Sequence, residues 1–392
     1  MSLDVQPPVC LTKPLVVPNK LMMGPGPSNC SPRVLHGMGY PVLGHLHAET
    51  LQIMDDVKDG IKYMFQTRNP LTLCVSGTGH AGMEAALNNT LEPGSKALIP
   101  TNGIWGCRAA DMAQRCGATV IKLEGTPGKS FAIKELKNAI ESHRPDVLFI
   151  THGESSTGVL QPLEGLGDIC HKYNCLLVVD SVASCGGTPL FMDKWGIDVL
   201  YTGSQKVLGV PPGITPISFS PLAERRLFSR KSPVSCYYWD MKLLGQYWGC
   251  FEGKPRIYHH TVPASLLYGL REGLAQICEE TLPKSWQRHE QCAKHLTDGL
   301  TELGLQMYVQ ASSDRLPTVT AVCLPQMLDW KKVISYAMDK HSLEISAGLG
   351  PTSGVAVRIG VMGYNATPEN VERTLSVLDE AIKYVKSTAT EV

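Results

Sequence analysis

The sequence predicts an α/β fold: a large, mostly parallel sheet with helices on both faces, followed by a smaller C-terminal α/β domain. Three observations predict it. Short apolar runs alternate with helix-length segments from about residue 48 to 280. The run Leu176-Leu177-Val178-Val179 is apolar without alternation, as a strand buried on both faces must be. A chain of 392 residues can build one large core and a smaller partner.

The elements follow in order. Residues 1–27 are proline-rich and lack helical periodicity, so they read as an extended arm. The large domain is assigned to residues 28–280, with strands expected at LTLCVS (71–76), KALIP (96–100), DVLFIT (146–151), CLLVVD (175–180) and DVLYTG (198–203). VSGTGHAGMEAALNNTLEPG predicts a strand, a glycine turn and a helix with Met83, Ala86 and Leu87 on one face, ended by Pro93-Gly94. A strand–helix–strand crossing is expected between Asp180 and Lys206. Lys206 itself sits in a turn of Thr, Gly, Ser and Gln between two strand-like apolar runs. A long helical stretch covers about 265–306, and the domain boundary falls inside it near residue 280. The smaller domain, residues 281–392, has strands at LPTVTAVCLP (316–325), LEIS (343–346) and VAVRIGVMG (355–363). Its last helix starts with Thr367 as N-cap and Pro368 as first helical residue, and Leu375, Leu378, Ile382 and Val385 line one face.

Composition excludes several classes. Charged residues are 18% of the chain, below the usual ~25%, which points to much buried surface, an oligomer interface included. Basic and acidic side chains balance at 36 each, so no nucleic acid partner is expected. The longest basic cluster, Arg225-Arg226 with Arg230-Lys231, reads as a solvated helix face. The 13 cysteines form no CxxC pair and lie in apolar segments, the pattern of buried free thiols in a reducing compartment. No apolar run is long enough to span a membrane, and the N-terminus lacks a secretory pattern.

Ligands of open parallel sheets bind beyond the carboxyl ends of the strands. Gly77 and Gly79 let backbone N–H groups approach a ligand, and the helix N-terminus after them favours a phosphate. Thr78 and His80 can add side-chain contacts. Gly77 to Gly82 also matches GxGxxG, but the next strand ends in Thr101-Asn102 with no carboxylate for a ribose. A nicotinamide cofactor and a purely structural turn stay as the other readings. Asp180 follows four apolar residues, so it is desolvated and needs a positive partner or strong donors. It reads as a helix cap for Ser181 onward or as the partner of a ligand's ring N–H. Phosphate turn, aspartate and lysine in that order fit pyridoxal phosphate, with Lys206 as the Schiff-base amine and Asp180 at the pyridinium nitrogen. Trp105, between glycines just past a strand, reads as core or as a ring stacked on a flat cofactor. Arg358 shares its strand face with Ala356 and Gly360, which leaves room for a carboxylate, and a structural ion pair is the alternative. His259-His260 could suggest a metal, but adjacent histidines point apart on a strand, so none is expected.

Taken together, MMGPGPSN, SGTGHAGMEAAL, NGIWGCRA, THGESSTGVLQPL, VVDSVASCGG, GSQKVLGVPPG, PRIYHHT, LPTV and AGLGP resemble the class V pyridoxal-phosphate aminotransferases, from about residue 14 to 385. The resemblance implies a PLP-dependent transferase of fold type I, a homodimer with its site at the subunit interface. It implies Lys206 as the Schiff-base lysine, Asp180 as the ring-nitrogen partner and Trp105 as the stacking ring. Thr78, Gly79, His80 and Gln205 would contact the phosphate, with Tyr258 and Thr261 reaching in from the other subunit. Ser155 would sit near the cofactor's ring oxygen and, with Gly26, Gly44 and His45, near the substrate, whose carboxylate Arg358 would hold. The implied activity is ping-pong transamination of alanine with glyoxylate, giving pyruvate and glycine. Gly44-His45-Leu46 resembles the glyoxylate-type pocket, whereas relatives preferring hydroxykynurenine have Ser-Asn-Phe there. Transamination of kynurenine-type substrates, or of serine with pyruvate, is the alternative. Cysteine desulfurases usually have histidine directly before the lysine, where this chain has Gln205. Peroxisomal members often end in a Ser-Lys-Leu-like tripeptide, but this chain ends Thr390-Glu391-Val392. The peroxisome is expected by resemblance, with the cytoplasm as the other compartment.

Overall fold

The computed structural model describes residues 4–325 and 327–389, so residues 1–3 of the arm and the three C-terminal residues read for targeting lie outside the described ones. The arm is not simply extended. Val9–Thr12 form one 3₁₀ turn, and Leu21–Met22 (β1) pair in parallel with Leu343–Glu344 (β12). Met23, next along, is fully buried in the smaller of two hydrophobic cores.

The central sheet has seven strands in the order β2 (Thr72–Val75), β10 (Thr215–Phe219), β9 (Val199–Tyr201), β8 (Leu176–Asp180), β5 (Val147–Thr151), β3 (Lys96–Thr101) and β4 (Thr119–Glu124). Every neighbouring pair is parallel except those made by β10, which runs antiparallel to β9 and β2. Strands β2, β5, β8, β9 and β10 are buried along their whole length, as their apolar runs require. Edge strand β4 escapes the apolar-run criterion because Thr119, Lys122 and Glu124 face water. A hairpin of β6 (Gly153–Glu154) and β7 (Val159–Leu160) follows β5. The helices α1 (Pro32–Met38), α2 (Ala48–Phe65), α3 (Gly79–Thr90), α4 (Ile104–Arg115), α5 (Ile133–His143), α6 (Leu166–Lys172), α7 (Pro221–Phe228) and α8 (Met241–Tyr247) flank this sheet.

Three expectations need correction. No helix crosses from β8 to β9; residues 181–198 do it in turns, because Gly186, Gly187, Pro189 and Gly196 break any helix there. The long helical stretch is two helices, α9 (Ala264–Glu280) and α10 (Leu282–Glu302), broken at Thr281, whose φ is 74°. Pro283 lacks an N–H and so is tolerated only in the first turn of α10. The basic cluster is not all solvated: Arg230 turns inward and donates to the carbonyls of Asn89 (3.1 Å) and Leu91 (2.7 Å), capping the end of α3.

The C-terminal unit packs α11 (Trp330–His341) and α12 (Pro368–Ala389) on a three-stranded antiparallel sheet of β11 (Val319–Cys323), β14 (Ala356–Gly360) and β13 (Ser346–Ala347). The LEIS run is thus divided between two sheets. Thr367 caps α12 by accepting the Asn370 N–H at 3.2 Å. Leu378, Ile382 and Val385 are buried against Val357 and Ile359, and each fully buried side chain of this kind stabilises the fold by about 1.5–3 kcal/mol. Among the described residues no helix is long and apolar enough to cross a membrane.

Candidate active site

A cavity of about 290 Å³ opens where the carboxyl ends of the parallel strands meet the C-terminal unit. Strand β2 runs into Ser76-Gly77-Thr78, and α3 begins at Gly79 with Thr78 as its N-cap. Thr78 is exposed and makes no side-chain cap bond, so its hydroxyl and the first turn of α3 are available to an anion. Gly82 lets this helix lie against the sheet, since a Cβ there would come within 2.5 Å of Thr215 and 3.0 Å of Tyr201. His80 lines the cavity and its Nε2 meets Arg108 Nη1 at 2.6 Å. Burial, then the Arg108 charge, holds the His80 imidazole below its ordinary range. Its ring meets Trp105 edge-on, with centroids 5.5 Å apart.

Asp180 ends β8 and Lys206 follows β9, so the parallel pairing of those strands brings both to the cavity. Asp180 is 3% exposed, and its Oδ1 accepts the Val182 N–H at 2.9 Å. Burial pushes its carboxyl up to about 6, against the pull of that N–H and the Lys206 charge. The helix-cap reading is not met, because no helix follows Asp180; its Oδ1 holds a turn instead, and the side chain still lines the cavity. Lys206 is 9% exposed, and its Nζ donates to the Pro25 carbonyl. Burial and the neighbouring Arg358 charge bring its amine down to about 8, with Asp180 and Glu344 opposing. Gly26 lies against that side chain with φ 109°, and a Cβ there would sit 2.6 Å from Lys206 Cδ. Gln205 also lines the cavity, and its buried Oε1 has no partner among the described residues.

Trp105 stands in the first turn of α4, and its Nε1–H donates to Ser155 Oγ at 2.9 Å. Arg358 enters from β14; its Nε donates to the Ala347 carbonyl (3.1 Å) and its Nη1 to the Ser155 carbonyl (3.2 Å). Among the described residues no carboxylate pairs with it, so the structural ion-pair reading has no support. The fold therefore gathers Gly26, Thr78, Gly79, His80, Trp105, Ser155, Asp180, Gln205, Lys206 and Arg358, all expected at the site, around one cavity.

Four expected residues stay outside it. Gly44, His45, Tyr258 and Thr261 gather elsewhere on the surface, with the His45 ring 4.6 Å from Tyr258 and Tyr258 Oη 3.3 Å from Thr261 Oγ1. The histidine pair also differs from expectation. His259 and His260 do not point apart, because no strand holds them; their Nδ1 atoms meet at 2.9 Å, and His260 Nε2 reaches Ser76 Oγ at 2.6 Å. Sequence reasoning misses Ser346 and Leu349 in the lining, and it gives no role to Glu154, a fully buried carboxylate at the strand end just behind it. A lone acid directly after a buried strand, in THGESSTG, is the available signal.

A buried amine with a lowered pKa can attack a carbonyl, a buried aspartate can hold a ring proton, a bare helix start can take a phosphate and an unpaired guanidinium can take a carboxylate. A family model described as aminotransferase class-V matches residues 35–374. A Drosophila melanogaster protein named alanine–glyoxylate aminotransferase is 55% identical over 385 residues, which is 98% of this chain and 98% of its own. A Felis catus protein of the same name is 53% identical over 382 residues, 97% of this chain and 92% of its own. The crystal structure of an alanine–glyoxylate aminotransferase from a Nostoc species superposes with a TM-score of 0.93 at 42% identity, covering 97% of this chain and all of that one.

Proposed function

The chain belongs to the class V aminotransferases, and we propose that it transfers the amino group of alanine to glyoxylate, giving pyruvate and glycine. The observation that carries this reading is the convergence of Lys206, Asp180 and Arg358 on one cavity beside the bare start of α3. The likeness to proteins named for alanine and glyoxylate supports the substrate pair.

Enzymes of this family use pyridoxal phosphate, and the residues present fit it. The Gln205 amide, whose N–H₂ can donate, the Thr78 hydroxyl and the first N–H groups of α3 form a polar cradle for its phosphate end. Trp105 and His80 offer rings beside that cradle. When bound, the cofactor supplies an electron sink for the negative charge that develops at the substrate's α-carbon. Lys206 would hold the cofactor through its amine and, when not bonded to it, would carry the proton taken from the α-carbon. Asp180 would keep a proton on the cofactor's ring nitrogen, a role its buried position suits because little water competes for it. Arg358 binds the carboxylate of alanine and then that of glyoxylate.

The reading extends to a homodimer in which Tyr258 and Thr261, with Gly44 and His45 beside them, serve the neighbour's site. It extends also to an intracellular protein, with the peroxisome as its compartment. The deciding experiment is an assay of pyruvate and glycine from alanine plus glyoxylate, run beside hydroxykynurenine turnover, with a visible spectrum of the purified protein. Faster turnover of hydroxykynurenine would replace the substrate assignment. A protein with no visible cofactor band and no transamination would remove the reading itself.

A further inference from the structure

Helix α4 has no cap of its own. Its N-cap is Gly103, which offers no side chain, and yet the helix starts inside the protein. The missing acceptors arrive from about 50 residues away in sequence, in three consecutive residues after β5. Glu154 Oε2 accepts the Trp105 N–H at 3.2 Å, Ser156 Oγ accepts the Ile104 N–H at 3.1 Å, and Ser155 Oγ accepts the Trp105 indole N–H at 2.9 Å. The Glu154 carboxylate is itself held by the Ser156 N–H (3.0 Å) and the Ser156 hydroxyl (2.5 Å). A Cβ on Gly103 would overlap the Glu154 side chain, so glycine is what admits the carboxylate.

The same strip holds the other walls of the cavity. Arg358 Nη1 donates to the Ser155 carbonyl at 3.2 Å, and Thr352 Oγ1 donates to the Ser156 carbonyl at 2.6 Å, fixing the loop that carries Leu349. Glu154 is 1% exposed and does not itself line the cavity. Burying a carboxylate this deeply opposes its ionisation and pushes it up to about 7, despite three donors. A fold that needed only a helix start could have used a serine at the N-cap, at no such penalty.

We propose that Glu154 is a positioning residue for the reaction: its carboxylate caps α4 from the β6–β7 hairpin and so sets the Trp105 ring in register with the cofactor and with Arg358. The proposal rests on Trp105 as the cofactor-facing ring. Glu154→Gln keeps the size but turns an N–H donor toward Ser156 or Trp105, which already donate. Gly103→Ala displaces the carboxylate from the other side without altering it.

The test has one arm without cofactor and one with it. In the cofactor-free full-length chain, both variants should speed amide exchange at Ile104 and Trp105 by roughly five- to ten-fold, the size of a lost cap. In the loaded enzyme, the visible circular dichroism of bound pyridoxal phosphate should fall by about half or more, and kcat should drop roughly ten-fold with little change in KM for alanine. Unchanged exchange at those two amides would overturn the proposal. So would faster exchange with the parent's dichroism and kcat, because the carboxylate would then hold only the helix. A parent protein that bound no pyridoxal phosphate would instead sink the reading of the site, while the exchange arm would still decide whether Glu154 fixes Trp105.

Discussion

Lys206 faces Arg358 in a single cavity, and burial followed by that guanidinium's charge holds the lysine amine down to about 8. A substrate carboxylate seated on Arg358 neutralises the charge that depresses the amine. On the proposed reading, substrate binding would therefore raise the basicity of the Lys206 amine.

Lys206→Ala should abolish the visible cofactor band and lower alanine–glyoxylate turnover by several orders of magnitude. Stability should move the other way. A lysine whose folded pKa is about 8 rather than 10.5 contributes stability above pH 10.5 that is lost as pH falls through 8. Lys206→Met should thus stabilise the cofactor-free chain at pH 7 by about 1–3 kcal/mol, with the gain vanishing above pH 10.5. Thermal melts across that range check it, and a destabilised variant at pH 7 would contradict the sign.

Asp180→Asn should leave the cofactor bound while transamination slows greatly, because shape survives and the charge opposite the ring proton does not. Its folded pKa of about 6 lies above the ordinary 3.8, so the stability it contributes is complete below 3.8 and lost as pH rises through 6. At pH 7 the asparagine variant should be the more stable cofactor-free protein, by about 1–3 kcal/mol. Unchanged kcat together with lower stability would reduce Asp180 to a cap for Val182.

Arg358→Lys keeps the charge and loses the fork. It should weaken kcat/KM for alanine and for glyoxylate alike, by roughly 1.5–3 kcal/mol each. Double-reciprocal plots for the parent should give parallel lines. A loss confined to one substrate would mean two carboxylate sites.

Tyr258→Phe and Thr261→Ala should weaken pyridoxal phosphate binding although neither residue lines its own chain's cavity. Dilution to monomer should release the cofactor from the parent. Sedimentation at decreasing concentration, read at the cofactor's absorbance, distinguishes this from a monomer that keeps its cofactor.

Much of the fold and of the site is legible in the amino-acid sequence. Apolar runs mark β2, β3, β5, β8 and β9, and polar residues at their ends mark Thr78, Asp180 and Lys206, because strand ends in a parallel sheet share one edge. Edge strand β4 is not legible, since half-exposed positions carry no apolar run. Neither is the helix-free crossing after Asp180, where glycines and a proline override a length suited to a helix. Glu154 is hidden for another reason: its partner Trp105 is distant in sequence, as Ile104 is from Ser156, and only the fold joins them. The meeting of His259 with His260 escapes a rule that holds for strands, because the backbone makes no strand there.

The pairing of β1 with β12 joins two segments of the chain that are made far apart in time. Residues 21–22 leave the ribosome long before their partners at 343–344. Pro25 and Gly26, which close the wall over Lys206, are fastened by that pairing and by Met23 in the C-terminal core. A nascent or truncated chain can therefore carry the phosphate turn, the aspartate and the lysine and still lack a closed reaction chamber. Lys206 lacks that wall until the strand that pairs with β1 has been made.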